Sequence, residues 1–291
     1  MPETWLRRLD SATQFRALAE PFLLRREAEN NLALGLASLL EINPHVYGRE
    51  PYFAVVEKAG GVVATALMTP PERLVLSLCL ETEVLREMAS DVRAFLPRTA
   101  GVMAPAPAAA AFAAAWQDLT GEETRLFLAE RVYRLDRVQP PEGVSGRLRR
   151  TGLEDRELLL EWYGAFELEA LGHVSDGEDL ARMVDRLLAA SPERRGAFLW
   201  EDPAPVCLVA YGGPTPNSMR IGPVYTPPAM RRRGYASACT AAASAWLLAN
   251  GRAFVTLFTD LSNPTSNAIY QAIGYEPVCD VDAYDFIPKG E

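Results

Sequence analysis

Histidine is nearly missing from this chain: His45 and His173 are the only two among 291 residues. That leaves little material for a histidine-centred triad or a histidine-rich zinc site. The four cysteines, Cys79, Cys207, Cys239 and Cys279, are scattered through apolar stretches without paired metal-ligand spacing. They read as small core residues in a reducing compartment, and no metal site is expected. Missing too is any apolar run near the roughly 20 residues that cross a bilayer, and the start of the chain, with Arg7, Arg8 and Asp10, lacks the apolar centre of a signal peptide. A cytoplasmic protein with no membrane partner is the expectation. There is no basic excess either. Lys and Arg number 29 against 38 for Asp and Glu, a net charge of −9, which argues against a nucleic-acid partner.

What is present reads as two successive units of mixed α and β structure. Residues 6–30 and 31–40 set apolar and charged side chains at helical spacing, and Asn43-Pro44-His45 ends the pattern. Strands are expected at 52–58 and 62–69, joined by the hairpin signal Ala59-Gly60-Gly61, and at 73–79. A helix over 81–95, a short strand at 101–103, an alanine-rich helix over 106–119 and a strand over 124–135 follow. Gln139-Pro140-Pro141-Glu142-Gly143 is the best linker, so the expected domains are 1–138 and 144–291. The second half reads as a strand at 147–150, helices at 153–171 and 179–190, and strands at 197–201, 205–211 and 220–225. A helix over 237–248, a strand over 252–259, a helix opened by Pro264 and strands near 275–281 and 284–287 complete it. The halves form a weak internal repeat, in which Pro107, Phe112 and Trp116 stand opposite Pro264, Ile269 and Ile273.

The chemistry concentrates between Ile221 and Tyr275. A strand ending Gly222-Pro223-Val224-Tyr225-Thr226 passes through Pro227 and Pro228 into Arg231-Arg232-Arg233-Gly234-Tyr235-Ala236, and a helix follows at once. Gly234 and the small Ala236 let a ligand approach the backbone where first-turn N–H groups lack helical partners, which suits an anion, phosphate above all. Three consecutive arginines in an acidic chain either meet such phosphates or form a solvated corner. Neither a Lys-Ser/Thr P-loop pair nor a GxGxxG run follows the strand, so the usual nucleotide grips are excluded. In the second segment, Ser262 or Asn263 can cap a helix begun by Pro264. Ile269 and Ile273 share one face of it, and Asn263, Ser266, Asn267 and Tyr270 are the polar residues a ligand could meet.

In this order and at this distance the two segments resemble the GCN5-related N-acetyltransferase (GNAT) superfamily. Arg231, Gly234 and Ala236 match its loop pattern of Arg or Gln, two residues, Gly, one residue, then Gly or Ala. The resemblance implies an α/β (mixed α+β) fold in two copies, each a mostly antiparallel twisted sheet flanked by helices. It implies acetyl transfer from acetyl-coenzyme A to a primary amine of a small-molecule or peptide acceptor, by direct attack. In that reading Arg231 and the amides of Arg232, Arg233, Gly234, Tyr235 and Ala236 hold the diphosphate. Val224 and Tyr225 offer backbone groups to the pantetheine arm, Asn263 and Ser266 line it, and Tyr270 protonates the leaving thiolate.

The first half lacks the arginine-glycine loop, and Leu80-Glu81-Thr82-Glu83 stands in its place. Two carboxylates at a helix start repel a diphosphate, so cofactor binding is expected of the second half alone. No motif marks the base that must take the amine's proton: Glu167 is the first candidate, with Glu169, His173 and Asp260 beside it. The alternative from another class is a non-catalytic acyl-coenzyme A sensor, against which the presence of Asn263 and Tyr270 argues. Acceptor identity and oligomeric state are not legible.

Overall fold

A computed structural model describes residues 4–288, with the backbone alone at residue 171, and in it a strand rather than a helix opens the chain. β1 (Thr4–Arg8) pairs antiparallel with β2 (Tyr52–Lys58), from Thr4 opposite Lys58 to Arg8 opposite Ala54. This corrects the helical reading of residues 6–30 at its start. Five residues of mixed charge and apolarity carry no decisive period, and the edge of β2 settles the choice. Helix α1 (Ala12–Leu23) begins where Ser11 caps it, its Oγ accepting from the Gln14 N–H.

Two compact units follow from the packing. The first comprises residues up to Val132, Thr259–Ser262 and residues from Val278 on; the second comprises Tyr133–Phe258 and Asn263–Pro277. Besides β1, α1 and β2, the first half of the chain contributes α2 (Asn31–Ile42), β3 (Gly61–Met68), β4 (Leu74–Leu76), α3 (Thr82–Phe95), β5 (Gly101–Pro105), α4 (Ala106–Thr120) and β6 (Glu123–Leu135). The remainder forms β7 (Arg147–Arg150), α5 (Arg156–Leu171), α6 (Gly177–Leu188), β8 (Gly196–Glu201), β9 (Pro205–Gly212), β10 (Ser218–Tyr225), α7 (Tyr235–Ala249), β11 (Phe254–Asp260), α8 (Pro264–Ala272) and β12 (Glu276–Ile287).

In the first unit the strands run β1-β2-β3-β4-β5-β12, antiparallel except for β4 with β5. Phe53 and Val55 of β2 face α1 and α2, where they meet Phe15, Leu23, Leu34 and Leu40. Tyr52, Ala54 and Val56 face α3 and α4 with Met88, Val92, Phe112 and Trp116. Both faces of β2 are covered, which is why its sequence is apolar rather than alternating. β12 supplies part of this core: Phe286 stacks on Trp116 with ring centres 4.6 Å apart. Its acids Asp285 and Asp280 pair with Arg73 and Arg131. The division of the chain at 138–144 carries residues 278–287 with the second half, whereas the structure packs them into the first unit. Side-chain periodicity reads this stretch as two strands and does not say which unit receives it.

In the second unit the order is β11-β10-β9-β8-β7, antiparallel except for β10 with β11. α5 and α6 cover one face through Leu159, Trp162, Leu180 and Val184. The other face lies under α7, whose alanines at 238, 241 and 243 let the helix approach the strands closely, and under α8.

Candidate active site

β10 and β11 run side by side for only four residues, Ser218–Ile221 against Phe254–Leu257. Beyond Ile221 a bulge, with Gly222 at φ 145°, shifts β10 against β9, so that Val224 and Tyr225 pair with Val209 and Leu208. One edge of Val224 and Tyr225 is therefore bonded within the sheet, while their register with β11 has ended.

The chain then makes a 3-10 turn at Pro228–Met230 and enters the arginine segment. Two left-handed residues, Arg232 at φ 65° and Gly234 at φ 81°, turn the backbone into α7. The first helical bond runs from the Ala238 N–H to the Gly234 carbonyl at 3.0 Å, and no side chain caps the helix start. The amides of Tyr235 and Ala236 thus lie ahead of the first helical hydrogen bond at the positive end of the helix, a geometry that favours an anion. A Cβ on Gly234 would stand 2.8 Å from Val144 Cγ2, so glycine is required by conformation and by space alike. The Tyr235 side chain serves as an anchor: its hydroxyl donates to Asp202 Oδ2 at 2.6 Å, and Ser145 donates to the same oxygen. These two hydrogen bonds, from Ser145 first, with Arg233 nearby, hold the Asp202 carboxyl below the usual carboxylate range.

The three arginines part ways. Arg231 is fastened: its Nε donates to the Thr226 carbonyl at 2.8 Å, and one terminal nitrogen reaches both oxygens of Glu169, at 2.8 and 2.6 Å. Its guanidinium also lies 5.9 Å from the centre of the Tyr225 ring, which joins the loop to the end of β10. Arg232 and Arg233 are exposed.

In the second segment Asn263 caps α8, its Oδ1 accepting from the Ser266 N–H at 3.0 Å. Tyr270 is 8% exposed and sits in the core under α7 and α8, its ring edge-on to Tyr275 at 6.0 Å. Burial, with Cys207 nearby, raises its phenol above the ordinary range. Tyr133, at the end of β6, donates to Asn267 Oδ1 and accepts from Gln271 Nε2, both at 3.0 Å. This link to α8 has no sequence signal, because it joins residues more than 130 positions apart.

Among the candidate bases, Glu167 accepts from the N–H and Oγ of Ser175 at 2.8 and 3.0 Å, and so holds the segment between α5 and α6. Glu169 is the partner of Arg231. Asp260 accepts from the Ser262 N–H at 2.7 Å and belongs with residues 259–262 to the first unit. His173 lies in the short segment after α5. The structure therefore brings together Tyr225, Arg231 and the loop, but places Tyr270 and α5, the helix of Glu167, on opposite faces of the sheet. Among the described residues no group of three or more His, Cys, Asp or Glu could hold a metal ion, and no helix is long and apolar enough to cross a membrane.

Residues 213–283 match the model of a family described as FR47-like protein. A protein of Drosophila has a solved structure that aligns over 98% of this chain and 99% of its own, with a TM-score of 0.69 at 14% identity. A GCN5-related N-acetyltransferase from Sphaerobacter thermophilus aligns over 99% and 97%, with a TM-score of 0.64 at 16% identity. A tandem GNAT protein from the clavulanic acid biosynthesis pathway, solved without AcCoA, aligns over 97% of both chains, with a TM-score of 0.56 at 16% identity. At these identities the likeness is one of fold. No curated protein matches the chain in sequence.

Proposed function

From a chain that has the tandem fold of the GCN5-related N-acetyltransferases, we propose that the second unit binds acetyl-coenzyme A and transfers its acetyl group to a primary amine. The observation that carries this is the start of α7: first-turn amides without a side-chain cap, behind left-handed Gly234, next to the strand edge at Val224 and Tyr225 that β11 has left. The amides of Arg232 to Ala236 would hold the diphosphate, with the charge of Arg232 and Arg233 close by. Arg231 acts as a brace for the loop. The first unit has no such loop. Its α3 starts at Glu81 with Glu83 in the first turn, and we assign it no cofactor.

When bound, acetyl-coenzyme A supplies an activated thioester. A backbone N–H on the free edge of Val224 and Tyr225 would donate to the oxygen on which charge develops. Tyr270 would hold the proton destined for the departing sulfur. Burial raises its phenol and so keeps it protonated, while the same shift makes it a weaker donor than an ordinary tyrosine. Glu167, on the other face of the sheet from Tyr270, would take the amine's proton past the end of the β10–β11 pairing, after Ser175 yields one of its oxygens.

One observation favours a second reading. Glu167 and Asn263 are both committed to intramolecular hydrogen bonds and Tyr270 is packed in the core, an arrangement equally at home in a non-catalytic acyl-coenzyme A sensor. Calorimetric titration with acetyl-coenzyme A, followed by coenzyme A release across a library of polyamines, aminoglycosides and peptide N-termini, separates the two. Binding with release on at least one amine is expected. Binding without release on any amine supports the sensor, and no binding at millimolar concentration refutes both.

A further inference from the structure

Arg232 takes a left-handed backbone at φ 65° without being glycine, a conformation that persists only where its surroundings hold it. The residue before it is held on two sides. Arg231 Nε bonds the Thr226 carbonyl behind the turn, and its terminal nitrogen bonds both oxygens of Glu169 on the last turn of α5. Glu169 thus ties that helix end to the arginine loop. We propose that Glu169 is a positioning residue for the cofactor: by clamping Arg231 it fixes the point from which the amides of Arg232 to Ala236 are aimed. This rests on the reading of the α7 start as the diphosphate site.

The pair is about half exposed, with Arg231 at 41% and Glu169 at 46% of their side-chain surface, so its effect is limited to that of a surface ion pair. The loss expected for Glu169→Gln is a twofold to about fivefold weakening of acetyl-coenzyme A binding. Arg231→Gln, which also gives up the bond to the Thr226 carbonyl and the contact with the Tyr225 ring, is expected to weaken binding at least as much. The double variant should be no weaker than Arg231→Gln alone, because the contact that Glu169→Gln removes is already gone once Arg231 is replaced. Glu169→Asp should recover part of the affinity. In turnover assays KM for acetyl-coenzyme A rises in Glu169→Gln while kcat at saturation holds, a split that general loss of structure would not give.

The experiment is acetyl-coenzyme A titration of the wild type and these four variants, with steady-state kinetics on the same preparations. Unchanged or tighter binding in Glu169→Gln overturns the proposal, as does a double variant that loses the sum of the two single effects. A fall in kcat with unchanged affinity overturns it as well, and makes Glu169 the base instead. Failure of the wild type to bind sinks the function reading itself, which is a separate outcome from variants that bind as the wild type does.

Discussion

Replacing Gly234 by alanine tests the geometry of the loop most directly. Two costs are readable from the structure. A non-glycine residue at φ 81° gives up about 1–2 kcal/mol. The new Cβ also meets Val144 Cγ2 at 2.8 Å, closer than carbon atoms tolerate. Val144 is a stiff side chain, but it sits in a partly exposed stretch between Gly143 and Gly146, both at positive φ, so the backbone there can move aside. The steric share then falls at the low end of the overpacking range, about 1 kcal/mol. The conformational share is the larger, and together they come to about 2–3 kcal/mol. For a unit of this size that is a fall of about 5–10 °C in its melting temperature. Calorimetric melts of the wild type, Gly234→Ala, Val144→Ala and the double variant measure it. The double variant should recover the steric share alone, and acetyl-coenzyme A affinity should drop in both variants that carry alanine at 234. A Gly234→Ala protein that melts within about 1 °C of the wild type would show that neither the strain nor the close contact is as described.

Tyr270→Phe should lower kcat by about 100-fold or more with acetyl-coenzyme A affinity unchanged; equal turnover in steady-state assays removes the acid role. Asn263→Ala should cost about 1 kcal/mol of stability in urea titrations, and Asn263→Asp, an equally good cap, should restore it. An alanine variant as stable as the wild type would mean that the cap contributes nothing. Asp155 is held below its ordinary value first by the two-pronged pair with Arg149, at 2.8 and 2.9 Å, and then by the Gly152 N–H. A carboxyl depressed in the folded state stabilises above its unfolded value of about 3.9 and loses that contribution as pH falls through the folded value. Stability measured between pH 5 and 2 should therefore fall less steeply in Asp155→Asn, and parallel curves would refute the linkage.

Much of the fold is legible in the residues because local signals agree with tertiary ones. Ala59-Gly60-Gly61 turns the β2–β3 hairpin, Thr120-Gly121 closes α4, and Asn263 followed by Pro264 starts α8. The strand at 4–8 is not legible, since its partner lies some fifty residues away. Nor is the continuity of β12, read as two strands, because nothing in residues 281–284 says that the pairing with β5 carries through. At the site, the glycine-loop pattern names residues whose backbone matters, and it locates Gly234 and Ala236 well. It is silent on side chains that hold the loop from afar. The partnership of Asp202 with Tyr235 spans 33 residues and that of Glu169 with Arg231 spans 62, and sequence spacing has no access to either.

The last strand has a bearing on how the protein comes into being. Val281–Asp285 zip along Gly101–Pro105, and Phe286 plugs the layer beneath Trp116. A ribosome releases those residues only after everything in between has emerged. The earlier-made unit must therefore wait, with one flank of β5 bare, until the later-made one is already out of the tunnel. Cutting the chain in the proline-rich connector would yield a leading fragment short of a strand, sticky along that flank, and a trailing fragment burdened with a ribbon that has nowhere to dock.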